Sequence, residues 1–253
     1  WTMKKGTANQ IGKKKMKKLL VLLAVMALAT TAAQAQFFFE DWESGTDGWV
    51  NYSATPAAIS QEANTTPGGS WSLKTADTGT NYTNALDYNF ATASATAWEA
   101  TWWFYDRGST REYMQLRNYT NPVTDTTLNQ LIAFGTYNGA PALAGVYNFR
   151  VAFGGGGWAN TTIARVANVW HEMKVTQDTA GNLNFYVDGN LGASVVTTSI
   201  FGINDLRVGG GLSNVKGAYY DDILITTVPE PGSMLALATG LIGLVGVGIR
   251  RRK

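Results

Sequence analysis

The sequence predicts an all-β domain of about 190 residues held between two apolar ends. Three observations carry this reading. From Gln36 to Thr227, short apolar runs alternate with Gly, Asn, Asp and Ser turns, the pattern of strands joined by tight connections. The same stretch shows neither a strong amphipathic helix nor a fixed internal repeat, and it is long enough for one domain with a sizeable core. Each end, by contrast, joins an apolar run to a cluster of cations.

Taken in order, residues 1–15 precede Met16, and Trp1 cannot initiate a chain. They read as an over-extended start or an added segment, or else as a long basic n-region. Met16-Lys17-Lys18 opens a basic region, Leu19 to Ala29 is apolar, and Ala33-Gln34-Ala35 fits a small-x-small cleavage pattern. Residues 16–35 are therefore expected to be a secretory signal peptide. Signal peptidase is the implied partner, cutting after Ala35 and leaving Gln36 as the first mature residue.

Removing the ends reverses the charge. The whole chain carries +2, yet eleven of its 20 Lys and Arg residues lie in the two ends, with only one of its 18 acids. The passenger, 36–227, keeps nine bases against 17 acids, a net charge of about −8. No basic face is available for nucleic acid, and none is expected as a partner. There is no cysteine. The core alone must hold the fold, and a thiol nucleophile, a Cys-based zinc site and a lipid-modified amino terminus are all excluded.

Within the passenger, Trp42-Glu43-Ser44-Gly45-Thr46-Asp47-Gly48-Trp49 opens the domain. Ala97 to Asp106 reads as one strand. Its alternation puts Trp98, Trp102 and Phe104 on one face and Trp103 and Tyr105 on the other. Gly154 to Gly157 lacks the Lys-Ser/Thr of a phosphate loop and reads as a flexible turn, with Trp158 on an exposed loop after it. The clearest element follows. In Trp170 to Thr176, His171, Met173 and Val175 alternate with polar residues; Ala180-Gly181-Asn182 turns; Leu183, Phe185 and Val187 face in; and Asp188-Gly189 turns again. Tyr219-Tyr220-Asp221-Asp222-Ile223-Leu224-Ile225 closes the domain.

This hairpin resembles the Trp-His … Leu-x-Phe-Tyr-Val-Asp-Gly stretch of laminin-G-like and concanavalin-A-like jelly rolls. The opening and closing segments are similar to those of carbohydrate-binding jelly rolls. The resemblance implies an antiparallel jelly-roll β-sandwich whose first and last strands pair. It also implies a structural calcium near those strands, with Glu43 and Asp222 as the matching ligands and Asp41 and Asp221 beside them. The alternative is that these are solvated strand-end carboxylates, with one Asp capping a turn. The aromatics themselves give a second candidate chemistry, since sugars stack their apolar faces on rings: Trp103, Tyr105 and Trp158 are the candidates, and the alternative is that both faces of the strand are covered, as a sandwich of this size buries several tryptophans.

No catalytic residue is expected. His171 is the only histidine and sits in a strand, there is no Gly-x-Ser-x-Gly elbow, and Glu40-Asp41-Trp42-Glu43 lacks the acid spacing of glycoside hydrolases on this fold.

The tail, 228–253, has three parts in order. Val228-Pro229-Glu230-Pro231 is held extended by its prolines. The apolar run Met234 to Ile249 spans roughly 24 Å as a helix, slightly short of a bilayer core of about 30 Å. Arg250, Arg251, Arg252 and Lys253 then hold the cytoplasmic side. A buried helix would not end in four consecutive cations, and a plain anchor needs no Pro-Glu-Pro. The tail resembles the PEP-CTERM sorting signal of Gram-negative bacteria. That resemblance implies transient residence in the inner membrane as a transmembrane helix, and processing near Pro229-Glu230-Pro231 by an exosortase. Display at the cell surface or release into extracellular polysaccharide would follow. The expected protein is thus an exported, non-enzymatic jelly roll at the cell surface or in the extracellular matrix, adhering to glycan or serving as a matrix component. The alternatives are a secreted glycan-active enzyme of the same fold and a structural surface protein without ligand.

Overall fold

The computed structural model describes residues 35–51, 58–60, 69–77, 85–90, 97–108, 111–119, 128–139, 141, 144–152, 157–197, 202–210 and 216–228. Ala35–Thr227 is one compact unit, and Trp1–Gln34 with Val228–Lys253 is another. Ala33 of the signal peptide, the Pro229–Pro231 motif, the apolar run and the basic cluster from Arg250 to Lys253 lie outside the described residues, as do Gly154 to Gly156.

The unit Ala35–Thr227 is all-β. Its strands are β1 (Ala35–Glu40), β2 (Val50–Asn51), β3 (Ala58–Ser60), β4 (Ser72–Lys74), β5 (Leu86–Asn89), β6 (Trp98–Tyr105), β7 (Arg111–Tyr119), β8 (Leu128–Tyr137), β9 (Val146–Ala152), β10 (Trp158–Ala164), β11 (Trp170–Gln177), β12 (Leu183–Val187), β13 (Asn190–Val195), β14 (Asp205–Val208) and β15 (Tyr219–Thr227). They form two antiparallel sheets. Sheet I has eight strands in the order β13-β12-β11-β6-β15-β4-β3, with β1 added beside β15. Sheet II has seven, in the order β10-β9-β8-β7-β14-β5-β2.

Period-two burial explains why these segments are strands. Along β6, Trp98, Trp102 and Phe104 are buried, while Trp103 and Tyr105 stay half-buried on the outer face. Along β7, Met114 and Leu116 enter the core between the sheets, so Tyr113, Gln115, Arg117 and Tyr119 must face outward from sheet II. Trp102 meets Phe134 of β8 edge-on, with ring centroids 6.0 Å apart, and Phe149 stacks on Phe185 at 4.5 Å. These ring pairs join the two sheets.

The predicted hairpin is present as β11 and β12, with Met173 opposite Val187 and Gln177 opposite Leu183. First and last strands also pair: Ala35 lies opposite Thr227 and Glu40 opposite Ile223. One expectation is corrected. Trp158 does not sit on an exposed loop; it opens β10 opposite Arg150 of β9, half-buried against two tyrosines. Position 158 alternates with Ala159, whose inward face packs on the core, and this locks Trp158 into the outer row.

Close backbone approach has its own residue requirement in β8. A Cβ on Gly135 would lie 2.3 Å from the Glu112 carbonyl oxygen and 2.6 Å from Tyr113 Cα, both backbone atoms of β7. Gly135→Ala is therefore expected to cost about 1–3 kcal/mol and to lower the melting temperature by several degrees. An unchanged melting temperature would contradict the β7–β8 register.

Candidate functional site

The outer face of sheet II carries a constellation built from cross-strand rows. Gln115 stands opposite Arg207 on one side and Ala133 on the other; Ala133 meets Arg150, and Arg150 meets Trp158. The next row runs from Tyr113 through Gly135 and Asn148 to Asn160.

Three aromatic rings meet here. Trp158 stacks flat on Tyr137, with centroids 4.4 Å apart and planes at 8°, and it meets Tyr113 edge-on at 4.8 Å. The Arg111 guanidinium lies 4.7 Å from the Tyr137 ring centre, and its Nε donates to Asn138 Oδ1 at 2.9 Å. Asn148 donates through Nδ2 to Asn160 Oδ1 at 3.0 Å, and its own Oδ1 accepts the Tyr137 amide at 2.8 Å. The result is an aromatic platform of half-buried Trp158 and Tyr137 braced by buried Tyr113, in which Tyr137 is faced by both the indole and the guanidinium, with amide groups at the rim.

Beside the platform the same face holds a buried charge network. Arg117, only 1% exposed, donates to Asp205 through Nε and to Asp87 through Nη2, the latter at 2.9 Å. Arg207 grips Asp87 with two bonds of 2.6 and 2.5 Å. Two bases and two acids cancel, and this is the condition under which buried charge is tolerated. Burial pushes the Asp205 carboxyl up to about 7, against the pull of Arg117.

The other candidates lie elsewhere. Trp103 and Tyr105 are on the outer face of sheet I, so they cannot share a site with Trp158. Tyr105 is flanked edge-on by Trp170 at 5.5 Å and Tyr219 at 5.7 Å. Lys74 and Arg107 cover the Tyr219 ring. Trp103 lies between Glu172 and Asp221 on the neighbouring strands.

At the junction of β1 and β15, Glu43 Oε1 accepts the amides of Ser70 and Trp71 at 2.5 and 2.8 Å. Asp222 sits in a bulge where two residues of β15 oppose Trp102, and its φ is +44°. Trp42, close by in sequence to Glu43, is also left-handed at +61°. The Asp222 carboxyl is raised by burial and by the charges of Asp41 and Glu43. Among the described residues no group of three or more His, Asp or Glu side chains converges as a metal site.

His171 is buried and fully engaged. Its Nδ1 lies 2.7 Å from Asp188 Oδ2, and its Nε2 lies 2.9 Å from the Val166 carbonyl. Neither ring nitrogen is left to serve a reaction. Sequence reasoning missed Tyr113, Tyr137 and Arg111, and the Asp87–Arg117–Asp205–Arg207 network. The alternation Tyr113-Met114-Gln115-Leu116-Arg117 does mark an amphipathic strand, yet nothing local reveals that Trp158 lies two strands away from Gly135.

Comparison with known proteins bears on the fold and on the tail. The domain is an antiparallel jelly-roll β-sandwich. The globular domain of T. cruzi calreticulin superposes with a TM-score of 0.54 at 11% identity, covering 84% of this chain and 99% of that one. A carbohydrate esterase, vb_24B_21, from Shiga toxin-encoding bacteriophage phi24B gives 0.56 at 15% identity, covering 78% and 100%. Domain 4 of AbnA, a GH43 extracellular arabinanase from Geobacillus stearothermophilus solved with arabinotriose, gives 0.54 at 11%, covering 81% and 98%. At these identities the likeness is one of fold. No curated protein matches the chain in sequence. The chain carries a PEP-CTERM protein-sorting motif at residues 227–253. The motif marks an exported protein that an exosortase recognises and sorts to the cell surface or extracellular space.

Proposed function

We propose that this protein is a non-catalytic surface or matrix component whose sandwich binds polysaccharide on the outer face of sheet II. The observation that carries the reading is the platform of Trp158, Tyr137 and Tyr113, with hydrogen-bonding groups at its rim. Sugars offer an apolar face to stack and hydroxyls to pair, and a ring platform edged by amides and a guanidinium offers both. The bound arabinotriose in the AbnA domain is a precedent on a similar fold.

The platform lies toward the end of the sandwich where β15 begins. Tyr220, near the start of β15, donates to Glu112 Oε2 at 3.2 Å, and Glu112 adjoins Tyr113. Thr227, where the tail leaves, is seven residues further along the strand, about 23 Å away. Hydrolysis finds little support on this face, because Asp87 and Asp205 are both tied to arginines.

The test uses purified residues 36–227 with cellulose, chitin, xylan, arabinan and the host's own extracellular polysaccharide. Depletion from solution by at least one, without release of reducing ends, is expected. Retention by none supports the structural reading, and release of reducing sugar supports the enzyme.

Glu43 and Asp222 are the calcium candidates by resemblance, with Asp41 and Asp221 beside them, yet among the described residues no three acids converge as a metal site and Glu43 Oε1 already accepts two amides. Asp222 is raised first by burial and then by the charges of Asp41 and Glu43, and a cation there would offset the latter. Calcium at a hundredfold excess over its dissociation constant would add about 2.7 kcal/mol, and chelator would remove it. A melting temperature constant across a wide calcium range returns these acids to solvent.

A further inference from the structure

Charge is unevenly spread over the passenger. As a whole it carries about −8, yet four of its nine Lys and Arg residues, Arg111, Arg117, Arg150 and Arg207, stand in strands of sheet II. All four face outward, because they alternate with core residues: Met114 and Leu116 on β7, Phe149 on β9, Leu206 and Val208 on β14. Only two acids in the described strands of this sheet share that face, Asp87 and Asp205. Glu112 of β7 turns inward, to the hydroxyls of Tyr220 and Thr75. Four bases and two acids leave the strands of this face at +2.

The two acids are engaged within the face itself. Asp87 and Asp205 hold Arg117 and Arg207, and all four side chains are buried. The other two guanidiniums stand beside the rings. Arg150 lies opposite Trp158, and Arg111 lies over Tyr137. Arg111 meets that ring and the Asn138 amide oxygen, and among the described residues no acid neutralises it. Only its Nε is hydrogen-bonded, so both Nη groups are left to donate. A half-buried guanidinium braced on a ring is a planar fork whose natural partner is a carboxylate. The amides of Asn138 and Asn160 are exposed at the same rim, suited to hydroxyls.

Resting on the polysaccharide reading of this face, we infer that the polymer it takes is acidic, a chain of carboxylated sugars such as uronic acids. The rings receive the apolar face of a sugar, and Arg111 and Arg150 pair with its carboxylates and those of its neighbours. A neutral polymer uses the rings but leaves the Arg111 charge without a counter-ion. The rest of the passenger is strongly negative and repels the same polymer, which confines a polyanion to this face.

The experiment uses the full chain in non-ionic detergent, with polygalacturonate and alginate immobilised beside their carboxyl-reduced forms and read by biolayer interferometry. Wild type should bind an acidic form at least tenfold more tightly than its reduced counterpart. Arg111→Gln should bring the two within threefold of each other while leaving binding to the reduced form unchanged. Arg150→Gln tests the second guanidinium independently and should lower the same preference at least threefold. Lys174→Gln removes the same charge from β11 of sheet I and should leave the preference within twofold. Each variant is checked for a retained melting transition. Equal binding of acidic and reduced forms by wild type overturns the inference and leaves the polysaccharide reading standing. So does a folded Arg111→Gln or Arg150→Gln variant that keeps the full preference, or a Lys174→Gln variant that loses it. Dextran sulfate held as tightly as the carboxylated polymers reduces the effect to charge attraction and overturns the inference as well. If no polymer is bound, whether acidic, reduced or neutral, the polysaccharide reading itself fails and takes the inference with it.

Discussion

Replacing Pro229-Glu230-Pro231 with three alanines should abolish processing while leaving export intact. The variant should accumulate in the inner membrane at the size of the tail-bearing form, with essentially none released. The reason lies in backbone conformation. Proline is a poor helix former and would keep a helix formed by the apolar run from growing back into the motif; alanine, the best helix former, would invite that growth. A helical segment does not present its backbone to a peptidase. The glycines of the apolar run, Gly240, Gly243, Gly246 and Gly248, remain and still allow close approach of another membrane helix. A host with the matching exosortase is required, and fractionation with immunoblotting gives the answer. If the alanine variant is trimmed and released like wild type, the tail acts as an ordinary anchor.

Trp158→Ala should remove most polysaccharide affinity. Stacked on Tyr137 and braced by Tyr113, the indole is a rigid anchor of the kind whose truncation dominates binding energy. A loss of at least tenfold, about 1.4 kcal/mol, is expected in affinity electrophoresis against whichever polysaccharide the wild type binds. Trp103→Ala, on the opposite sheet, should leave that affinity within twofold. The reverse pattern would move the binding face to sheet I. Both variants need checking for a retained melting transition, since each removes a half-buried ring.

The contrast between these two tryptophans shows how far the sequence could be read. Burial on β6 and on the β11–β12 hairpin follows residue by residue from period-two alternation, because each strand's pattern is written in its own neighbours. The pairing of β1 with β15 came from a resemblance of end segments rather than from alternation. Trp158 was misplaced because four glycines before it read as loop, whereas register against Arg150 decides where a strand begins. The charge network was invisible for a similar reason: Asp87, Arg117, Asp205 and Arg207 come from three strands far apart in sequence, and only the order β7-β14-β5 brings them together. Targeting information is the opposite case, since it is linear and is read by other proteins as a string.

The place of β15 in sheet I has a mechanical consequence. The tail continues directly from this strand, which is bonded to β6 along most of its length on one side and to β4 and β1 on the other. If the sandwich holds polysaccharide as proposed and stays attached through its carboxyl end, drag on the polymer would run along the axis of this interior strand. Hydrogen bonds on both flanks are loaded together in shear, and none is peeled open singly. Pulled instead from its amino end, the same domain would begin to unzip at β1, which among the described residues pairs with β15 alone. Anchorage by the carboxyl end is the mechanically resistant choice for this topology.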